Sequence, residues 1–198
     1  MLPTIGEVAG DKGDLRRAVL RRRAARDPRQ VAADDHARAD LLLARLTDPP
    51  STVAAYLSAP GEPGTGHLLE ALHDAGVTVL LPRLPRLRRE PDWAAYEGRD
   101  RIGSGRWGIP EPAGAGLGAG ALAAAAVIVV PGLLGTPSGR RLGRGGGWYD
   151  RALVHASPEA RVWLLLNDDE VVDEVPSEPH DLPVTALVTP TRWVACRE

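Results

Sequence analysis

Four consecutive apolar residues, Val127, Ile128, Val129 and Val130, followed at once by Pro131 and Gly132, set the strongest limit on how this chain folds. A short run that is apolar at successive positions and closed by turn residues reads as a strand covered on both faces. The run extends back over residues 123–130, and further apolar strands are expected at 52–57, 77–81, 161–166 and 185–188. Helical segments at 67–75 and 148–155 alternate with them. Alternation of this kind predicts an α/β fold, a three-layer Rossmann-like domain with a mostly parallel sheet and helices on both faces. Residues 1–198 are read as a single domain, an ordinary length for one.

Two helices are expected to open the chain and pack on this sheet. The first covers about 11–26. Asp27-Pro28 then supplies an N-cap and a proline at the first helical position of the second. Its inward face is expected to carry Ala32, His36, Ala39, Leu43 and Leu46, with His36 a core or boundary residue, and Pro49-Pro50 ends it. Prolines at 82, 85, 91, 110 and 112 make the stretch 82–120 irregular. Two basic runs, Arg21, Arg22 and Arg23, and Arg83, Arg86, Arg88 and Arg89, read as solvated faces.

After the strand ending at Val130 comes Arg140-Arg141-Leu142-Gly143-Arg144-Gly145-Gly146-Gly147-Trp148-Tyr149-Asp150-Arg151. Glycines at 143, 145 and 147 allow positive φ and close approach of the backbone, so that successive N–H groups can converge on an anion. Arg141 and Arg144 add charge-assisted donors for phosphate oxygens. Asp150 stands where a magnesium ion bridging two phosphates can be held. In parallel-sheet folds ligands collect at the carboxyl ends of the strands, where this loop lies. On the residues alone two readings stand: a polyphosphate cradle, or a surface loop in a chain that holds 22 glycines. A dinucleotide fingerprint is the weaker match, because its first glycine directly follows the strand and here about a dozen residues intervene.

Composition narrows the class further. The net charge of −2 demands neither nucleic acid nor an acidic membrane as partner. One cysteine, Cys196, rules out an intrachain disulfide and a cysteine-rich zinc site. No apolar run reaches the length of a membrane span, and the N-terminus has no signal pattern. A cytoplasmic, soluble protein is the expectation, with a monomer as its state. Lysine occurs once, at Lys12, among 24 basic residues, which sets that position apart.

Several strings then recur in a known order: Lys12-Gly13-Asp14-Leu15-Arg16; Tyr56-Leu57-Ser58 with Glu62 and Thr65; Leu81-Pro82-Arg83; Trp107-Gly108-Ile109-Pro110-Glu111-Pro112; Val130-Pro131-Gly132 with Arg141 through Asp150; and Val175-Pro176 with His180-Asp181. Over roughly residues 12–189 the chain resembles the 5-formyltetrahydrofolate cyclo-ligases, also called 5,10-methenyltetrahydrofolate synthetases. The resemblance implies an ATP- and Mg-dependent reaction. The formyl oxygen of 5-formyltetrahydrofolate attacks the γ-phosphate, and a second folate nitrogen closes the ring to 5,10-methenyltetrahydrofolate with release of ADP and phosphate.

By the same resemblance, the nucleotide is held by Lys12, Arg16, Arg141, Leu142, Gly143, Arg144, Gly145, Gly146, Gly147, Trp148 and Tyr149. The folate meets Leu57, Glu62, Trp107 and Tyr149; the metal carboxylates are Asp150 and Asp181; and the residues nearest the chemistry are Arg144, Tyr149 and Asp150. Three departures from the family pattern stand out. Gly135-Thr136 replaces Phe-Asp, which predicts a missing aromatic wall and carboxylate beside the nucleotide loop. Gly64 stands where an acid precedes the threonine, and 167–170 read Asn-Asp-Asp-Glu where a glutamine is usual. Phosphate machinery is therefore retained better than the folate side. This leaves two other readings beside the cyclo-ligase: an ATP-using paralogue for another small formyl or acyl substrate, and a folate- or nucleotide-binding protein without turnover.

Overall fold

A computed structural model of the chain describes residues 11–46, 50–84, 90–105, 110–178 and 181–197. Trp107, His180, Pro49, Arg86, Arg88 and Arg89, all singled out from the sequence, lie outside the described residues. The elements in order are α1 (Lys12–Ala24), α2 (Pro28–Ala44), β1 (Thr52–Ala54), α3 (Gly66–Asp74), β2 (Thr78–Arg83), β3 (Asp92–Ala95), β4 (Ile102–Ser104), β5 (Pro110–Pro112), β6 (Val127–Pro131), β7 (Leu134–Gly135), β8 (Arg141–Leu142), α4 (Trp148–Leu153), β9 (Arg161–Leu165), β10 (Ala186–Val188) and β11 (Trp193–Ala195).

Seven strands form the main sheet in the order β11-β10-β9-β6-β1-β2-β3. The pairs from β10 to β2 are parallel. Antiparallel β3 and β11 close the two edges. Because side chains alternate across a strand, the apolar runs feed both faces. Val53, Val79, Val127, Val129 and Leu165 pack with Leu42 of α2 and Leu68, Leu69 and Leu72 of α3. Ala54, Leu80, Ile128, Val130 and Leu164 pack on the other side with Leu122, Ala152 and Leu153. These two cores on opposite faces make the three-layer arrangement that the sequence pattern predicts.

Particular elements differ from expectation. Residues 123–126 do not belong to β6: Ala119–Ala124 is a 3-10 turn, and the strand begins at Val127, where unbroken β-branched residues start. Nor does α1 dock on the sheet. Its Leu15 and Val19 are buried with Leu133, Leu134, Leu142 and Val175, around the small β7–β8 hairpin. On α2 the inward residues are Asp34, Arg38, Ala39 and Leu42, while Ala32 and His36 are exposed. Apolar spacing misplaced this face because the helix buries two charged side chains, which a hydrophobic pattern cannot register. It ends at Ala44, ahead of the prolines. The irregular stretch 82–120 hides β3, β4 and β5, and β11 also lay outside the sequence reading.

Sheet order reverses between β1 and β6: β1 leads outward to β2, and β6 leads the other way to β9 and β10. The chain leaving the carboxyl ends of these two neighbours must diverge, which opens a crevice at the switch point. That crevice holds the site.

Candidate active site

A cleft of ≈ 480 Å³ opens there, within the range of small-molecule sites. From the end of β1 come Tyr56, Leu57 and Glu62, from β6 Pro131 and Gly132, and from the loop after β8 the run Gly143 to Gly147 leading into Trp148, Tyr149 and Asp150. The first turns of α1 contribute Lys12 and Arg16. Asp181 arrives from a segment 169 residues away from Lys12 in the chain, and its Oδ2 accepts from Lys12 Nζ at 3.4 Å. Every expected site residue that is described therefore lines one cleft, and only Trp107 falls outside the description.

α1 reaches the cleft with its N-terminus first. Asp11 caps it, its Oδ1 accepting from the N–H groups of Gly13 at 2.7 Å and Asp14 at 2.9 Å. The next residue, Lys12, bridges Glu178 at 3.0 Å and Asp181 at 3.4 Å. Partial burial works against the Lys12 charge, but the hydrogen bond to Glu178 and the charge of Asp181 outweigh it and hold its pKa above the ordinary lysine value. One turn on, Arg16 Nε donates to Gly143 O at 2.9 Å. Helix spacing thus puts the two cations on one face, and Arg16 is already seated on the glycine loop.

Positive φ is used at Gly145 (99°) and Gly147 (60°), and Gly143 does not require it. At Gly145 a Cβ would come within 3.2 Å of the Arg16 guanidinium carbon. Glycine there lets the loop and the α1 cation approach each other. Gly147 is the left-handed residue from which α4 starts.

Three cation–carboxylate pairs stand around the cleft. Buried Arg141 joins Asp150 to the Leu182 carbonyl. Its guanidinium orients the carboxylate as much as it faces the loop. Arg144 extends across the cleft to Glu62, Nε to Oε1 at 3.1 Å, and its NH2 donates to Pro60 O at 3.4 Å. Lys12 with Glu178 and Asp181 is the third. Glu62 also accepts from Ala59 N at 2.9 Å, which turns its carboxylate back over its own loop.

Aromatic groups floor the cleft. Trp148 meets Trp93 edge-on at 5.2 Å and Tyr149 at 4.8 Å. The Tyr149 hydroxyl and Trp148 Nε1 are buried without a hydrogen-bond partner. Burial, then the nearby Glu62 charge, push the Tyr149 phenol well above its ordinary pKa, so it remains a neutral donor. Buried donors without partners are uncommon, and two of them at the edge of a cleft can serve an acceptor on a flat bound ring.

The departures noted in the sequence acquire local explanations. At Gly135 a Cβ would meet Leu164 at 2.8 Å and Leu166 and Leu187 at 2.9 Å, so leucines from the sheet fill the place of an aromatic wall. Thr136 is buried, and its Oγ1 accepts from Arg140 N at 3.1 Å, closing the β7–β8 turn. Neither residue lines the cleft itself, although Gly135 pairs in register with Arg141 beside the nucleotide loop. Arg23 is no solvated residue either. It is buried, with a two-pronged ion pair to Glu170 at 2.7 Å on each arm. Arg83 pairs with Asp92 at 3.2 Å on the β2–β3 hairpin.

Sequence reasoning did not single out Glu111, Leu84 or Glu178 as lining residues. Glu178 had no distinguishing signal, for an acid three residues before Asp181 looks like any surface acid. Its backbone N–H donates to Asp181 Oδ2 at 2.8 Å, which places it beside Lys12.

A model of the 5-formyltetrahydrofolate cyclo-ligase family matches residues 8–190. The chain belongs to that family. It is 37% identical over 147 residues to the 5-formyltetrahydrofolate cyclo-ligase of Mycolicibacterium smegmatis, covering 72% of this chain and 75% of that one. The Escherichia coli cyclo-ligase is 32% identical over 153 residues, 74% of this chain and 84% of its own. The 5,10-methenyltetrahydrofolate synthetase of Aquifex aeolicus, solved by NMR, superposes with a TM-score of 0.79 over 94% of this chain and 93% of that one. At 24% identity this last likeness shows the cyclo-ligase fold. No helix among the described residues is long and apolar enough to cross a membrane.

Proposed function

We propose that the chain is a cytoplasmic 5-formyltetrahydrofolate cyclo-ligase that uses ATP with magnesium. The observation that carries this is the convergence on one cleft of Lys12 and Arg16, the Gly143 to Gly147 arc with Arg144, the carboxylates Asp150 and Asp181, and the Leu57–Glu62–Tyr149 surface. A chain with only a mobile glycine loop would have no reason to assemble cations and carboxylates from four separate segments around it.

The chemistry needs no protein nucleophile. The formyl oxygen of the folate attacks the γ-phosphorus, and the bond to the bridging oxygen breaks, so ADP leaves. The neighbouring nitrogen then attacks the activated formyl carbon. The C–O bond breaks, phosphate departs, and the nitrogen gives up its proton to phosphate or water. What the protein supplies is alignment and charge compensation. Lys12, Arg16 and Arg144 face the triphosphate with the loop N–H groups. Tyr149 and Leu57 flank the ring system, and Glu62 accepts from its N–H groups.

Asp150 and Asp181 would hold the magnesium ion that travels with the nucleotide. An all-oxygen pair suits a hard ion. Among the described residues no group of three acids, histidines or cysteines is placed to hold a metal by itself, so this pair would need the nucleotide and water to complete the site. Held there, the ion would offset negative charge on the nucleotide's phosphates.

The test is a direct assay with purified protein, 5-formyltetrahydrofolate and MgATP, following methenyl absorbance and phosphate release. Both rise together, and only with ATP, if the reading is right. Phosphate release without methenyl product would assign another formyl or acyl substrate. Silence in both from folded protein would leave a binding protein.

A further inference from the structure

Glu62 is carried by the segment between β1 and α3, and two bonds from outside that segment bracket it. Arg23 NH1 donates to Gly61 O at 3.3 Å, one residue before Glu62. Asp35 Oδ1 accepts from Gly64 N at 2.8 Å, two residues after it. Within the segment, Tyr56 Oη donates to Pro63 O at 2.8 Å and Thr65 Oγ1 to Tyr56 O at 2.6 Å, which tie it back to the end of β1.

The two outside anchors are the ends of one continuous polar chain. Asp35 accepts from Arg38 NH1 at 2.5 Å, and Arg38 NH2 donates to Asn167 Oδ1 at 2.8 Å. Asn167 donates through its backbone N–H and Nδ2 to Glu170, both at 2.8 Å. Glu170 holds Arg23, whose NH2 also donates to Gly132 O at 2.7 Å, at the cleft end of β6. Arg23, Arg38, Asn167 and Glu170 are all buried. Burying such charges costs more than packing apolar residues of similar volume, so stability alone is a poor reason to keep them. Both ends of the chain stop on the same short segment, on either side of the same acid.

Gly64 shows how tightly this is built. A Cβ at that position would lie 2.6 Å from the Asp35 carboxyl carbon, so the carboxylate of α2 fills the space of a side chain at 64. The backbone there is not left-handed, and alanine is excluded by Asp35 alone.

We propose that Asp35 and Arg23, buttressed by Arg38, Asn167 and Glu170, are positioning residues for the substrate acid: they set the height and direction of Glu62 over the cleft without touching substrate. This rests on the function proposed above. The test is steady-state kinetics on Asp35→Ala, Asp35→Asn, Gly64→Ala and the double variant Asp35→Ala/Gly64→Ala. Loss of the Gly64 bond raises the KM for 5-formyltetrahydrofolate about three- to tenfold in Asp35→Ala and in Gly64→Ala, with the KM for MgATP within about twofold of wild type. Asp35→Asn, whose amide oxygen can still accept from Gly64 N, recovers most of the affinity. The double variant stays within about twofold of Asp35→Ala, because removing the carboxylate leaves the new methyl only the 3.3 Å contact with the Cβ at 35. An unchanged folate KM, equal rises for both substrates, or additive damage in the double variant would overturn the proposal while leaving an active wild type to support the function. An inactive wild type would overturn the function and this inference together.

Discussion

Arg144 and Arg141 above the cleft, and Arg23 and Arg38 beneath it, are the same residue type in opposite circumstances. Around the cleft the cations are paired with carboxylates that themselves line it: Arg144 with Glu62, Arg141 with Asp150, Lys12 with Asp181. On the function proposed above, a phosphate or a metal ion would exchange into these pairs, ligand replacing the partner given up on either side. Beneath the cleft, Arg23 and Arg38 are satisfied by Glu170, Asn167, Asp35 and main-chain carbonyls. Nothing there is free to exchange. On that proposal the difference is between charge around the cleft that ligand would take over and charge below it that the fold keeps for itself.

The largest effect comes from breaking the lower set. Glu170→Ala leaves the Arg23 guanidinium buried without its partner and should cost about 3–5 kcal/mol of stability. Denaturant unfolding measures it, and a loss under about 1 kcal/mol would erase the contrast. Next come Arg144→Ala and Asp150→Ala, which should lower kcat/KM for MgATP by about a hundredfold with far-ultraviolet circular dichroism near wild type; the unfolding midpoint holds for Arg144→Ala and falls for Asp150→Ala, which leaves buried Arg141 without its carboxylate. Undiminished turnover in either would remove the exchange picture for the upper set.

A smaller and more discriminating effect belongs to Glu62→Gln. Folate affinity should fall, yet nucleotide affinity without folate should rise about two- to fivefold, because Arg144 no longer has to leave a carboxylate to meet phosphate. Calorimetric titration with a non-hydrolysable nucleotide reads this, and weaker nucleotide binding would mean the pair is not exchangeable. The smallest effect is on pH dependence. Burial, then the Glu62 charge, raise the folded-state pKa of both Tyr56 and Tyr149. For a phenol raised on folding, the stability contribution is fully present below its unfolded pKa of about 10 and is lost as pH rises toward the folded value. Tyr149→Phe should therefore soften alkaline unfolding and leave the pH–rate profile unchanged below about pH 9. An altered alkaline limb of kcat in that range would make Tyr149 a proton donor rather than a neutral contact.

Much of this molecule is written locally. The run from Val127 to Val130 is a fully buried central strand, Asp27-Pro28 does cap and start α2, and the arginine–glycine string does lie at a strand's carboxyl end. Such features depend on neighbours in sequence, whose geometry is set by backbone sterics and side-chain shape. Misreadings fell where distant partners override the local signal. Arg23 sits in a run of three arginines and looks solvated until Glu170, 147 residues on, is brought against it. His36 falls on an apolar spacing, but α2 turns Asp34 and Arg38 inward because Arg26, Asn167 and Leu166 offer them partners.

By itself the sequence determined the α/β class, the central parallel strands in their order along the chain, the placing of the glycine loop at the carboxyl end of a strand and membership of the cyclo-ligase family. Each of these is carried by contiguous residues or by motifs in fixed order. Only the tertiary structure decided which carboxylate faces which cation, which arginines are buried, and how the Glu62 segment is braced from below. Those depend on contacts across long stretches of chain, where the cost of burying charge is met by one specific partner and no local pattern names it.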